Sequence, residues 1–84
     1  MEYKIKFTPL FQKQLKKLKK KDPILFQRIF AKLEEIQTNP FHYKPLKNVL
    51  KGNRRAHLGS FVIIFEVEDD LITVHYVKHH DTAY

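Results

Sequence analysis

Apolar and polar residues alternate at the start of the chain: Tyr3, Ile5 and Phe7 fall between Glu2, Lys4 and Lys6, the period of a half-buried strand. The period then changes. Thr8-Pro9 supplies an N-cap residue followed by a proline where a first helical turn tolerates one. Phe11, Leu15 and Leu18 at i, i+4 and i+7 predict a helix from about Pro9 to Lys20, with its lysines in water. Asp22-Pro23 repeats the start signal, so a second helix follows as a hairpin partner. Its expected buried face is Phe26, Ile29, Phe30, Leu33 and Ile36, and Asn39-Pro40 stops it. No period holds from Phe41 to Asn48, where Pro40 and Pro45 mark a loop.

From Arg54 the pattern is that of strands. A strand near Arg54–Leu58 turns at Gly59-Ser60 into Phe61–Val67, which is apolar on both faces apart from Glu66, as a central strand should be. Glu68-Asp69-Asp70 forms a polar turn, and Leu71–Val77 returns as an antiparallel partner. The predicted fold is α+β in the order β-α-α-β-β-β: an N-terminal strand, a two-helix hairpin, then a three-stranded antiparallel meander. The helices pack on one face of a four-stranded sheet, read here as antiparallel, and leave the other face open to a ligand.

The chain of 84 residues is read as one domain, residues 1–84, with no repeats or linkers. It has no cysteine, which for so small a domain points to a reducing compartment. There is no signal-peptide core at the N-terminus, and no apolar run nears the roughly 20 residues needed to cross a bilayer. The expectation is a cytoplasmic protein with no membrane partner. Sixteen Lys and Arg against nine Asp and Glu leave a net charge of +7, which suggests a polyanionic partner. The cations cluster at Lys13 to Lys21 and again at Lys44, Lys47, Lys51, Arg54 and Arg55, a distribution that favours nucleic acid over mere solubility.

No metal-ligand spacing is present: His79 and His80 are adjacent and point to opposite faces of an extended segment. His75 and His79 lack a carboxylate or cysteine at zinc-site spacing. Neither a metal nor a small-molecule cofactor is expected. What remains is a set of cations, imidazoles and a phenol: Lys47, Lys51, Arg54, Arg55, His57, His79, His80 and Tyr84. Such a set suits metal-independent cleavage of RNA. That reaction needs a base for the ribose 2′-hydroxyl, an acid for the leaving 5′-oxygen, and cations for the phosphorane. Histidine, with an ordinary pKa of about 6.5, can serve in either proton transfer. Arginine offers phosphate a rigid fork, and Tyr or His can stack on a base.

Each candidate has a plainer reading. Arg55 and His57 share one strand face, and small Ala56 puts Arg54 and Ala56 under the helices, so Arg55 and His57 fall on the open side, which could equally be an ordinary solvated face. His75 alternates with Leu71, Thr73 and Val77 and reads as a satisfied sheet histidine, while His42 reads as structural in its loop. His79 and His80 would belong to a frayed tail unless Tyr84 docks and orders it.

The stretch Arg55-Ala56-His57-Leu58-Gly59-Ser60-Phe61-Val62-Ile63-Ile64-Phe65-Glu66-Val67 resembles the R-x-R-x-G-D/S-Y/F-R-x-I/V-Y/F-x-V strand pair of the RelE/ParE toxin superfamily. The ending His79-His80-Asp81-Thr82-Ala83-Tyr84 is similar to that family's H-R-x-x-x-Y element, and Pro45-Leu46-Lys47 followed by Lys51-Gly52 to its K-L-x-G segment. The resemblance implies the toxin of a type II toxin–antitoxin pair: a ribosome-dependent endoribonuclease that cuts mRNA and is neutralised by a cognate acidic antitoxin. It implies catalytic roles for Arg55, His57, His80 and Tyr84, and RNA contacts for Lys47, Lys51, Arg54 and His79. Val62 stands where the family's central-strand arginine would be. That departure keeps a second reading open: a gyrase inhibitor of the ParE type, or a degenerate toxin that only binds its antitoxin. A third reading, a general RNA-binding module, lacks an aromatic RNA-recognition strand motif.

Overall fold

Thr8 makes the turn from strand to helix. In the computed structural model, which describes residues 3–45 and 52–80, its Oγ1 accepts from the Phe11 N–H at 3.2 Å and caps α1 (Pro9–Lys21). The same hydroxyl donates to the His75 carbonyl at 2.7 Å, so one side chain ties the helix start to the sheet. Thr8→Ala removes a cap and strands a part-buried acceptor, a loss of about 2 kcal/mol. Urea unfolding should show it, and Thr8→Ser should restore most of it.

Asp22 joins the helices. Its N–H donates to the Leu18 carbonyl at the end of α1, and its Oδ1 accepts from the Leu25 N–H at the start of α2 (Pro23–Thr38). Lys19, Lys20 and Lys21 in the last turn of α1 complement the negative end of its dipole. After Asn39 a single 3₁₀ turn, Pro40–His42, opens the segment that leads to the sheet. Among the described residues no helix is long and apolar enough to cross a membrane.

The helices bury Phe11, Leu15, Leu25, Ile29, Leu33 and Ile36 against Ala56, Leu58, Ile63, Phe65, Ile72, Val74 and Val77 of the sheet. In α2 three positions differ from the periodicity reading, Phe26 among them because it is only partly buried. Leu25 is core, whereas Phe30 stays 37% exposed. The buried stripe is narrow and centred on Ile29, so Phe26 and Phe30 flank it at the rim, where Phe30 meets Phe26 at 5.0 Å and Phe7 edge-on at 6.2 Å between centroids.

The strands are β1 (Lys4–Phe7), β2 (Asn53–Leu58), β3 (Phe61–Glu68) and β4 (Leu71–His79), in spatial order β1-β4-β3-β2. The meander β2-β3-β4 is antiparallel, as expected. The sheet as a whole is mixed, correcting the antiparallel reading, because β1 runs parallel to β4. The helical hairpin is a crossover, the kind of connection that links parallel strands, and a three-strand meander ends in the direction in which it began. Gly59, at φ 59°, occupies the left-handed region in the tight β2–β3 turn.

Register slips once. Ile64 pairs with Tyr76 but Phe65 pairs with Val74, so His75 is bypassed as a bulge. Val74 and Val77 therefore both reach the core, and His75 does not share a face with Val77 as strict alternation had it. The bypassed ring is satisfied, with Nε2 2.7 Å from Glu66 Oε1.

Candidate functional site

The sheet face away from the helices is built on Val62 and Ile64, both only 2% exposed and outside the main core. Cross-strand register sets what surrounds them. Ile64 lies between Arg55 and Tyr76, and Val62 between His57 and Lys78. His80 is two residues beyond Lys78 and meets His57: their ring centroids are 5.2 Å apart and the planes tilt by 41°. The result is an apolar floor walled by two imidazoles at one end, with a guanidinium and an ammonium along its sides.

Local contacts hold these walls in place. Ala56 and Leu58 are buried toward the helices, which turns Arg55 and His57 outward on β2. On β4, β1 pairs only as far as Val74. Beyond that point Gln14 of α1 stands in for a strand: its Nε2 donates to the Val77 carbonyl at 2.8 Å and its Oε1 accepts from the Val77 N–H at 2.9 Å. The His80 N–H donates to the Ser60 carbonyl at 2.6 Å, fixing the strand end beside the β2–β3 turn. Lys78 Nζ lies 5.5 Å from the centre of the Tyr76 ring.

Of the residues singled out from the sequence, Arg55, His57 and His80 come together here. Arg54 and His79 do not. Arg54 turns to the helix side, where Nη1 donates to the Tyr43 carbonyl at 2.7 Å and the guanidinium lies 4.8 Å from the Phe41 ring centre. His79 packs edge-on against Phe61 on that side, 5.1 Å between centroids. Lys47, Lys51 and Tyr84 lie outside the described residues. The sequence reading missed Tyr76 and Lys78. A signal for Lys78 existed, since it precedes His80 by two on an extended segment, but the predicted strand stopped at Val77.

A second feature borders the site. Residues 43–45 run along the outer edge of β2, with Arg55 N–H donating to the Lys44 carbonyl at 3.1 Å and Pro45 bridged to Arg54. Between this segment and the sheet is a cleft of about 280 Å³ lined by His42, Tyr43, Lys44, Arg55 and His57. The Tyr43 phenol is pushed above its usual pKa, by burial first and by the Glu35 charge second, so it stays neutral. On the helical side a larger groove of about 740 Å³ runs between α1 and α2, with Leu10, Leu15, Phe26 and Phe30 in its walls and Lys13, Lys16 and Lys19 beside them. Among the described residues no three His, Cys, Asp or Glu side chains converge as metal ligands would.

Residues 5–84 match the family described as the ParE toxin of type II toxin–antitoxin systems, parDE. The chain is 41% identical over 85 residues to the Methanocaldococcus jannaschii protein that bears the name toxin RelE4, covering 98% of this chain and 90% of that protein. It is 32% identical over 85 residues to an uncharacterised Methanosarcina mazei protein, covering 98% and 99% of the two chains. Its fold is that of the toxin in the RelBE2 toxin–antitoxin complex of Mycobacterium tuberculosis, with a TM-score of 0.82 at 22% identity, over 94% of this chain and 99% of that one. The YoeB dimer of Staphylococcus aureus superposes with a TM-score of 0.80 at 21% identity, over 95% and 99%.

Proposed function

The chain belongs to the ParE toxin family of type II toxin–antitoxin systems, within the RelE/ParE superfamily, and from that premise we propose that it cuts mRNA on the ribosome as a metal-independent endoribonuclease. The observation that carries this reading is the meeting of His57 and His80 from two strands over an apolar floor flanked by Arg55 and Lys78. Cleavage of RNA through its own 2′-hydroxyl needs two proton transfers, and two adjacent imidazoles supply them. One ring takes the 2′-hydroxyl proton as the 2′-oxygen attacks phosphorus. The other protonates the departing 5′-oxygen, leaving a 2′,3′-cyclic phosphate and a free 5′-hydroxyl. Arg55 and Lys78, on either side of the floor, stabilise the charge that builds on the phosphorane oxygens. A ribosome-directed enzyme of this kind works in the cytoplasm, and its charge of +7 suits ribosomal RNA, with binding that weakens steeply as salt rises.

Val62 gives this site a distinctive division of labour. It supplies no charge, but its neighbour on β4 is Lys78, which brings an ammonium to the same part of the face. Lys78→Met should slow cleavage by about 10²-fold, the loss of one donor to a developing oxyanion. Lys78→Arg should recover much of that rate. Single-turnover cleavage in a ribosome complex checks both, with thermal unfolding to confirm that the sheet is undisturbed.

Val62 also supports the rival reading, inhibition of gyrase without catalysis. Expression in growing cells separates the two: the nuclease reading predicts broken mRNA and normal plasmid supercoiling soon after induction. Intact mRNA with relaxed plasmid would establish the rival. The antitoxin is expected to present an amphipathic helix with acidic residues along its edges, since the α1–α2 groove is apolar at its base and lysine-rich at its side. Toxins of the same fold from Mycobacterium tuberculosis and Escherichia coli are found in complex with antitoxins.

A further inference from the structure

The cleft between residues 42–44 and β2 is cationic; Glu35, whose charge acts on Tyr43, lies outside its lining and pairs with Lys32 at 3.5 Å. Lys44 and Arg55 are permanent cations there, the rings of His42 and His57 line it beside them, and Tyr43 is held neutral. No carboxylate lines it among the described residues. Glu66, which also faces the open side of the sheet, is engaged by His75.

Arg55 adds an independent observation. Its Nε is buried and has no hydrogen-bond partner among the described residues. A buried donor left unpaired costs about 1–3 kcal/mol, so the side chain is poised to gain from any acceptor that draws it into a new orientation. An oxyanion with two oxygens side by side is the natural acceptor, because the guanidinium edge offers Nε–H and Nη–H in parallel.

We propose that this cleft is a nucleotide subsite, in which Lys44 and His42 hold the RNA phosphate next to the one that is cut, with Arg55 shared between that phosphate and the cleavage site. The inference rests on the nuclease reading for the identity of the RNA, while the anion site itself stands on the cleft. His57 belongs to both places, lining the cleft on one side and facing His80 on the other. Val62, the floor of the cleavage site, is one strand inward from His57, about 4.8 Å away. The subsite is thus a neighbouring step along one RNA strand. Its function is to fix register, placing the reacting ribose over the two imidazoles.

The test is a titration of the ¹⁵N-labelled protein with uridine 3′-monophosphate, following the Arg55 Nε–H signal and the His42 ring signals. Both should shift and saturate together. Replacing His42 and Lys44 together with Ala should raise the Kd about tenfold or more, as loss of charge-assisted hydrogen bonds does, with the folded spectrum retained. Lys20→Ala, which removes one charge from exposed helix surface, should change the Kd by less than about twofold. An unshifted Arg55 signal at saturation, or a double variant that binds as the wild type does, overturns the subsite. So does a polyglutamate peptide that competes as well as the nucleotide, since the cleft would then be a general acidic-protein surface. If the nucleotide titrates Arg55 and the double variant weakens it, the subsite holds even where no mRNA is cut, and that pair of results counts against the nuclease alone.

Discussion

His80→Ala is expected to lower mRNA cleavage by about 10²–10⁴-fold, the usual contribution of a positioned proton-transfer group, with little change in stability. The backbone of His80 is held through its N–H to the Ser60 carbonyl, a bond that alanine keeps. Its ring lies on the open face beside His57 and outside the apolar cluster, so truncation opens no cavity in the core. His57→Ala should cost a similar factor, because neither ring can perform both transfers in one turnover. The double variant should then fall little below either single one, as groups acting as a unit do. Rates measured with purified ribosome complexes, beside urea unfolding of each variant, separate loss of chemistry from loss of fold. A His80→Ala protein that cleaves at the wild-type rate would remove the imidazole pair from the mechanism.

The largest expected loss of stability is at Phe65. This ring is fully buried near the middle of β3, between β2 and β4, and lies in the cluster formed with both helices. Phe65→Ala should cost about 3–5 kcal/mol, the lost transfer energy together with the cavity left behind. For 84 residues the usual stability per residue amounts to only about 4–13 kcal/mol, so much of the total is at stake. The urea midpoint should fall by about 2 M for a protein of this size. Tyr43 packs edge-on against the same ring at 5.9 Å, so the 42–44 segment should loosen as well. Phe65→Leu, closer in volume, should lose much less. If Phe65→Ala unfolds at the wild-type midpoint, the core has been assigned to the wrong face of β3.

Most of the element order was legible because its signals are local. Thr8-Pro9 and Asp22-Pro23 mark helix starts by capping chemistry alone, and both side chains do cap. The outward aim of Arg55 and His57 followed from a single small residue, Ala56, on an alternating strand. What the sequence hid was non-local. The parallel pairing of β1 with β4 depends on where the crossover lands, which no residue of β1 records. The bulge at His75 depends on register between two strands, and it decides which residues of β4 face the site. Lys78 was overlooked because the predicted strand stopped one residue short of it, at Val77. The cleft beside β2 was hidden too, since it needs a loop without periodicity to lie against the sheet edge and bring His42 and Lys44 to Arg55. His42, read as structural, does pack on Tyr43, and it also lines that cleft.

The central claim is that a pair of imidazoles on the open face cuts mRNA. Cell-free translation followed by primer extension along the message, comparing wild type with His80→Ala, tests it most directly. The account predicts cuts within ribosome-occupied codons for the wild type, absent when ribosomes are omitted and lost in the variant. Arrested growth in cells together with an intact message in the wild-type reaction would contradict it.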